Sequence, residues 1–397
     1  MLPTASDPAG AAVAFYAPLK SPTHPTPSGD RLLARLLLQA LKQAGFSPQL
    51  ASRFRSWDGR GDPDRQQRLK RVAQRLAQRL IHRYQQLPPA QRPRLWVTYH
   101  LYHKAPDWIG PPVAKALGIP YVVVEASYAE KQRHGPWQQG LADSLAALQQ
   151  AAAILCLNPA DRPGIASISA APLYTLDPFL DLAPFLDLAP SHVIDLAPSN
   201  ARSTSVRSTV ARRYRLDPTQ PWLICVAMMR PGDKQHSYRL LAEALQQCLD
   251  QPWQLLVVGD GSARSQIETY FQPLAERCYF IGQRSQAQLL PLLQASDLFV
   301  WPAVNEAFGM ALLEAQAAAT AVLAGDEGGV SSIIEHERSG WLVPARDPLA
   351  FAGTLAQLLA DPHRLAQAGI DAQTRVKECH SLKAAGDRLR QLLGPLI

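Results

Sequence analysis

The sequence lacks the features that mark membrane-spanning, disulfide-linked and zinc-binding proteins. Its longest apolar stretches, such as Ala11 to Leu19, fall far short of the roughly 20 residues that a membrane span requires. No basic segment followed by an apolar core stands at the N-terminus, so we expect a cytosolic chain with no cleaved leader. The five cysteines are widely scattered without a Cys-x-x-Cys pair, and we expect them to be small buried hydrophobic residues.

Several common catalytic motifs are also missing. The chain has no phosphate-binding loop ending in Gly-Lys-Ser/Thr and no serine nucleophile elbow, and GDGSAR lacks the third glycine of the dinucleotide-binding fingerprint. Asp62-Pro63-Asp64 has the Asp-x-Asp form of a metal site, but it follows Gly-Arg-Gly instead of an apolar strand. His100 and His103 have no evident third ligand nearby, so we do not expect them to bind zinc. We predict no metal site.

Charge is distributed unevenly along the 397 residues. The net charge of +7 arises in residues 1–200, because residues 201–397 hold 19 basic and 19 acidic residues. Between Arg53 and Arg94 there are 12 basic residues and 3 acidic ones. Apolar residues in 64–84 recur at helical spacing beside a stripe of arginines, so this segment is predicted to be a basic amphipathic helix. It either binds an anionic membrane surface or is a domain helix with a solvated basic face.

Short apolar runs alternate with longer segments of helical period in both halves of the chain. This pattern is typical of parallel sheets covered by helices, so we predict an α/β protein with two doubly wound domains. The length fits two to three domains. We predict domains at 1–175 and 201–378 and a closing helical segment at 379–397. Residues 176–200 contain the proline-punctuated repeat FLDLAP-FLDLAP-SHVIDLAP, which we interpret as an interdomain linker.

The segment NEAFGMALLE, residues 305–314, directly follows the apolar strand LFVWPA. A helix beginning near Gly309 would point its first amide groups back at the strand end, where they bind anions. Glu306 and Glu314 beside such a site would suit the recognition of hydroxyl groups. Ligands of open α/β sheets collect at the carboxyl ends of strands, so this is where a nucleotide is expected. Taken alone, two glutamates eight residues apart are more often a helix N-terminal charge and a solvated helix residue.

The stretch EAFGMALLEAQAAATAVLAGDEGGVSSIIEHERSGWLVPARD, Glu306 to Asp347, resembles the retaining glycosyltransferases of family 4, which have the GT-B fold. Their signature is a glutamate, seven residues and a second glutamate, followed later by a Gly-Gly turn. The resemblance implies two Rossmann-like domains facing across a cleft. It also implies that Glu306 contacts the hydroxyls of the donor sugar, that Glu314 binds ribose, and that the amides around Phe308, Gly309 and Met310 hold the diphosphate or sugar.

Other positions agree with the order of motifs in this family. Arg230 and Lys234 stand where the family places two cations on the donor diphosphate, with a spacing one residue shorter than the common form. Gly259 and Gly261 match the second βα turn of the same domain. Gly29 matches the glycine loop that borders the donor phosphates in the first domain.

The first domain departs from the family at one position. Members often carry a histidine after the strand that is GIPYVVV here, whereas this chain continues with Glu125-Ala126-Ser127. His103 and Glu125 are our candidates for that contact on the acceptor or sugar side.

The resemblance therefore predicts a metal-independent hexosyltransferase that moves a sugar from a UDP- or GDP-linked donor with retention of configuration. The acceptor would be a glycan, a lipid-linked molecule or a small molecule, and no permanently bound cofactor is expected. We expect no nucleic acid partner, because no recognisable binding module is present. We expect a cytoplasmic location, either free or docked at the inner face of the membrane. The alternatives are an epimerase or phosphorylase on the same scaffold and a catalytically inactive nucleotide-sugar-binding subunit.

Overall fold

The computed structural model describes residues 10–26, 28–186 and 204–397. The chain divides into two compact units, one formed by residues 1–177 and 382–397 and the other by residues 178–381. Each unit contains one six-stranded parallel sheet. The prediction of two Rossmann-like, doubly wound α/β domains is therefore confirmed.

The first unit alternates strands and helices and takes its last helix from the C-terminus of the chain. Its strands are β1 Ala12–Tyr16, β2 Ser47–Ser52, β3 Leu95–Leu101, β4 Tyr121–Ala126, β5 Ala153–Cys156 and β6 Leu173–Thr175. Its helices are α1 Gly29–Gln43, α2 Pro63–Gln86, α3 Gly110–Leu117, α4 Gln138–Gln149, α5 Arg162–Ala166 and α14 Leu382–Leu393.

The second unit follows the same plan. Its strands are β7 Trp222–Val226, β8 Gln254–Val258, β9 Cys278–Gly282, β10 Leu298–Trp301, β11 Ala321–Asp326 and β12 Trp341–Pro344. Its helices are α6 Ala183–Leu186, α7 Thr204–Tyr214, α8 Asp233–Gln246, α9 Arg264–Tyr270, α10 Gln286–Ala295, α11 Met310–Ala317, α12 Pro348–Leu359 and α13 Pro362–Cys379.

The strand orders show where each sheet can hold a ligand. The first sheet runs β2-β1-β3-β4-β5-β6 and the second runs β12-β11-β10-β7-β8-β9. The direction of winding reverses between β1 and β3 in the first unit and between β7 and β10 in the second. Loops diverge at such switch points and leave a crevice outside the carboxyl ends of the strands. The two switch points are therefore the expected ligand positions.

The basic helix predicted over 64–84 is present as α2. Its apolar face, which includes Ala73, Ala77, Leu80 and Tyr84, packs into the hydrophobic core of the first unit. The arginines on the opposite side are exposed to solvent, namely Arg68, Arg71, Arg75, Arg79 and Arg83. The apolar stripe of α2 thus stabilises the domain and is not free to insert into a bilayer.

The start of the predicted linker packs against the second unit. Phe179 and Leu180 are buried, and the backbone N–H of Leu180 donates to the carbonyl of His380 at 2.8 Å. The later part of the linker, 187–200, lies outside the described residues, and the predicted linker remains a prediction. The expectation of buried cysteines was wrong for Cys379, which is exposed at the end of α13.

None of the helices in the described parts of the chain combines the length and apolar character that a membrane-spanning segment needs. Within the same residues, no group of three or more His, Cys, Asp or Glu side chains is arranged to hold a metal ion.

Candidate active site

The switch point of the second sheet brings together two loops that are about 70 residues apart in sequence. The loop after β7 carries Arg230 and leads into α8, and the loop after β10 carries Glu306 and leads into α11. Lys234, in the first turn of α8, forms an ion pair with Glu306. Their side chains are only 16% and 17% exposed, so the pair is partly shielded from water.

Trp301, at the end of β10, completes the immediate surroundings of this ion pair. Its indole Nε1–H lies 3.4 Å from Oε2 of Glu306, and the ammonium of Lys234 lies 5.4 Å from the centre of its ring. Tyr238 packs edge-on against the same ring. The ring of Trp301, which packs against Tyr238, thus lies beside both the carboxylate and the ammonium.

The loop that carries Glu306 is pinned to α8 by two further contacts. The backbone N–H of Val304 donates to the hydroxyl of Ser237 at 3.0 Å, and the amide of Asn305 donates to Asp233 at 3.0 Å. Ala303 and Asn305 have positive φ angles of 55° and 50°. Such angles are uncommon for residues other than glycine and are retained where surrounding contacts enforce them, often at functional sites.

Helix α11 begins immediately after this loop and directs free amide groups toward the strand end. Gly309 is its N-cap with a φ of 71°, a conformation that suits glycine. Within the described chain, the backbone N–H groups of residues 308–311 have no protein acceptor. Together with the helix dipole, these donors are available to an anion beside Glu306.

Gly328 supports the same loop from the neighbouring strand end. Its φ is 68°, and a Cβ at this position would overlap the carbonyl oxygen of Glu306. The N–H of Gly329 donates to that carbonyl at 3.3 Å. The Gly-Gly turn therefore positions the main chain of Glu306.

Glu314 lies in the second turn of α11. Its carboxyl group has no hydrogen-bond or ion-pair partner within the described residues. Burial raises its pKa to about 7. A half-buried carboxyl group without a protein partner beside a helix N-terminus is available to accept hydrogen bonds from the hydroxyl groups of a ligand.

Arg230, Gly259 and Gly261 lie in adjoining loops. Arg230 is exposed, and its guanidinium has no partner among the described residues. A Cβ at Gly259 would overlap the carbonyl of Ala227, and one at Gly261 would overlap the carbonyl of Met229. The two glycines thus allow the β8 loop to pack tightly against the chain segment that leads to Arg230.

Residues 220–361, which include all of these positions, match the family model of the glycosyl transferases group 1. The second unit carries a group 1 glycosyltransferase domain. A D-inositol 3-phosphate glycosyltransferase of Corynebacterium diphtheriae is 31% identical over 162 residues, 39% of this chain and 38% of that protein. One from Nocardia farcinica is 29% identical over 191 residues, 45% of this chain and 42% of that protein. The chain thus spans less than half the length of these curated relatives.

Solved structures extend the similarity beyond the group 1 domain to both units. Sucrose-phosphate synthase from Thermosynechococcus elongatus has a TM-score of 0.70 at 19% identity, covering 97% of this chain and 99% of that one. Anabaena HepE in complex with UDP has a TM-score of 0.70 at 15% identity, covering 96% and 99%. At these identities the similarity shows the fold, and it confirms the predicted GT-B type.

The remaining predicted residues lie in the first unit, outside the group 1 domain. Gly29 is the exposed first residue of α1, after the N-cap Ser28. His103 packs edge-on against Tyr102 and Trp137, and desolvation and nearby lysines lower its pKa to about 4. Glu125 is buried and accepts the backbone N–H groups that follow β5.

Sequence reasoning missed several residues that build these sites. In the group 1 domain they are Trp301, Ser237 and Asn305, which fix Glu306 and its loop but belong to no motif by themselves. In the first unit, His100 was considered only as a zinc ligand, whereas the structure pairs it with Asp30. The available signal was that Asp30 follows the loop after β1 and His100 precedes the loop after β3, because these two loops diverge at the switch point.

The raised pKa of Glu314 predicts a pH-dependent stability of the group 1 domain. The folded chain keeps a proton on Glu314 up to about pH 7, whereas the unfolded chain loses it near the ordinary glutamate pKa. The free energy of unfolding should therefore fall as the pH rises toward 7. Glu314→Gln should remove this loss and stabilise the protein above pH 7, by on the order of 2 kcal/mol.

Urea unfolding of the wild type and of Glu314→Gln at pH 5 and pH 8 measures this effect. Glu276→Gln, at an exposed position of the same domain, is the matched control. Equal pH dependence of the wild type and Glu314→Gln would show that Glu314 ionises normally.

Proposed function

We propose that this protein transfers a sugar from a nucleotide-sugar donor to an acceptor hydroxyl with retention of the anomeric configuration and without a metal ion. Arg230 and Lys234 would neutralise the donor diphosphate, aided by the amides of residues 308–310. Glu306 would contact the hydroxyls of the sugar, and Glu314 those of the ribose. Fixed positive groups at the leaving diphosphate stabilise the charge that develops as the glycosidic bond breaks.

The contact between Lys234 and Glu306 is the observation that supports this proposal most directly. It joins the two loops of the switch point, so that a cation, a carboxylate and free helix amides lie together at one strand edge. An activated sugar presents the matching groups, since its pyrophosphate is anionic and its ring carries hydroxyls. The resemblance to retaining family 4 enzymes supports the stereochemical part of the proposal.

The donor is proposed to be a UDP- or GDP-linked hexose. A thermal-shift panel of UDP, GDP and ADP sugars identifies the base, because a ligand that binds only the folded state raises the apparent stability. Anabaena HepE has been solved with UDP-glucose, which makes this sugar the first donor to test.

Arg230→Ala provides the matching variant for this panel. It should weaken donor binding by about 10- to 100-fold, since a charge-assisted hydrogen bond contributes about 1.5–3 kcal/mol. The unfolding midpoint without ligand should not change, because Arg230 is exposed and has no protein partner. Arg212→Ala, an exposed arginine of α7, is the control. Undiminished donor binding by Arg230→Ala would remove Arg230 from the proposed site.

We further propose that the exposed arginines of α2 bring the first unit to an anionic membrane surface. Arg68, Arg71, Arg75, Arg79 and Arg83 make no ion pair within the described chain and share the face opposite the core. Because the apolar face is buried, the attraction would be electrostatic, about 1 kcal/mol for each arginine near the surface. Glycosyl acceptors attached to lipids would be encountered there.

Vesicle co-sedimentation tests this proposal. Binding to vesicles with 30 mol% phosphatidylglycerol, as a stated probe, should decrease at least about tenfold when Arg71, Arg75 and Arg79 are changed to Glu, and it should weaken with salt. Binding that is insensitive to anionic lipid and to these substitutions would reject membrane docking.

A further inference from the structure

The switch point of the first sheet contains a histidine–carboxylate pair that the proposed donor site does not use. His100, near the end of β3, lies beside the first turn of α1, and its Nδ1 is 2.9 Å from Oδ1 of Asp30. The two side chains are 24% and 35% exposed. Since Nδ1 is engaged by Asp30, the second ring nitrogen, Nε2, is the one left for a ligand, and it has no partner within the described residues.

The backbone at this edge is held in an uncommon conformation on two adjacent strands. His100 has a φ of 62° and Glu125, at the end of β4, has a φ of 64°. Glu125 is kept in place because its Oε2 accepts the backbone N–H groups of Leu157 at 2.9 Å and Asn158 at 3.3 Å. Non-glycine residues in the left-handed region cost free energy, and they concentrate at ligand sites. The uncommon backbone conformations of His100 and Glu125 therefore lie at neighbouring strand ends.

Carboxyl groups from three elements act electrostatically on the imidazole. Asp30 comes from α1, Glu125 from β4 and Asp161 from the turn after β5. Burial lowers the pKa of His100, but its hydrogen bond to Asp30 and the three negative charges together raise it. The cations nearby, Lys20 and Arg55, act on Asp30.

Aromatic rings complete the surroundings of His100. The ring of Tyr102 lies 5.1 Å from the imidazole and that of Tyr99 lies 5.8 Å from it. Carboxylates accept hydrogen bonds, the imidazole accepts one when neutral and donates one when protonated, and aromatic rings offer apolar surface. This combination suits a ring that bears several hydroxyl groups. It opposes a phosphate, because the carboxyl groups of three residues act on the one imidazole.

We propose that His100, oriented by Asp30, binds a hydroxyl group of the acceptor, and that the carboxyl groups around it select an uncharged, polyhydroxylated acceptor over a phosphorylated one. The proposal rests on the glycosyltransferase function proposed above, with the first unit as the acceptor side. It assigns a binding role to a residue pair of this chain, and it gives the acceptor a chemical class.

Transfer to matched pairs of acceptors tests the selection by charge. Glucose is compared with glucose 6-phosphate, and myo-inositol with inositol 3-phosphate, as probes. We expect kcat/KM to be at least about tenfold higher for the uncharged member of a pair. Glu125→Gln should narrow this ratio, because it removes one negative charge while keeping an acceptor for the amides. A higher kcat/KM for the phosphorylated members overturns the proposal. The absence of transfer to all four acceptors also overturns it.

Kinetics of His100→Gln test the binding role. The KM for the acceptor should rise by about 10- to 100-fold, while donor affinity by thermal shift and hydrolysis of the donor without acceptor stay as in the wild type. His82→Gln, on the exposed face of α2, is the control. An unchanged acceptor KM in His100→Gln overturns the role of His100. If His100→Gln lowers the unfolding midpoint and the donor affinity together, the effect of the substitution is structural. This result also contradicts the binding role of His100.

Failure of the underlying function would have a different signature. If the wild type neither binds nor hydrolyses any nucleotide sugar, the glycosyltransferase function itself is refuted. If donor binding and hydrolysis are present and the His100 and acceptor experiments fail, only the acceptor proposal is refuted.

Discussion

Replacement of Glu306 by glutamine is expected to lower the rate of sugar transfer by about 100- to 1000-fold, the range typical for the loss of one preorganised electrostatic contact in an active site. Glutamine has nearly the same shape, but it does not carry the charge that holds the ammonium of Lys234. The hydrogen bonds offered to the sugar would also change from two carboxylate oxygens to one carbonyl oxygen and one amide group. Both the position of the sugar and the electrostatics at its diphosphate should therefore be affected.

The fold should survive this substitution. The ion pair is partly shielded, so its loss should cost about 1–3 kcal/mol, which a domain with this large a core tolerates. Release of the nucleoside diphosphate measures transfer, and urea unfolding measures stability. Glu243→Gln, which removes an exposed ion pair with Arg239 on α8, is the control and should retain full activity. Turnover at the wild-type rate in Glu306→Gln would refute the proposed role of Glu306.

Replacement of Gly328 by alanine should destabilise the second unit by about 2–4 kcal/mol, a large effect for the addition of one methyl group. The φ of 68° costs about 1–2 kcal/mol for a residue with a Cβ. The added carbon would also overlap the carbonyl oxygen of Glu306, a main-chain atom that moves only with its loop. Displacement of that loop should reduce transfer as well, since a shift of about 1 Å at an active site can cost about 100-fold.

Gly353→Ala is the matched control for this prediction. Gly353 lies in the middle of α12, is exposed, and a Cβ there would meet no atom within 4 Å. Alanine should stabilise the helix by about 0.5–1 kcal/mol. Urea midpoints of the two variants should therefore move in opposite directions. A Gly328→Ala protein as stable and active as the wild type would show that the turn does not position Glu306.

The elements predicted best are those with an apolar run between clear turn residues. Examples are the strands Gln254–Val258 and Leu298–Trp301 and the helix Leu382–Leu393. These segments are buried strands or a strongly amphipathic helix, so their local pattern and their tertiary environment agree. The helix after Gly261 begins at Arg264, because Ala263 is still part of the turn, where its backbone N–H donates to the carbonyl of Met229.

Two strands, β2 and β6, have no clear hydrophobic pattern in the sequence. The residues of β2, SPQLAS, contain a proline and few apolar side chains, and β6 has only three residues. Both lie at the edges of the first sheet, where a strand has a neighbour on one side only. Edge strands are less buried, so their sequences need fewer apolar residues.

The sequence by itself determined the fold type and supplied the residues now proposed for the donor side, because both depend on local order. Hydrophobic periodicity sets each strand and helix, and the EAFG segment is a contiguous motif. Only the tertiary structure decided which side chains meet. The pairs Lys234–Glu306 and Asp30–His100 are separated by about 70 residues. They come together because parallel strands that are distant in sequence end side by side where the winding of a sheet reverses, a relation that no local pattern encodes.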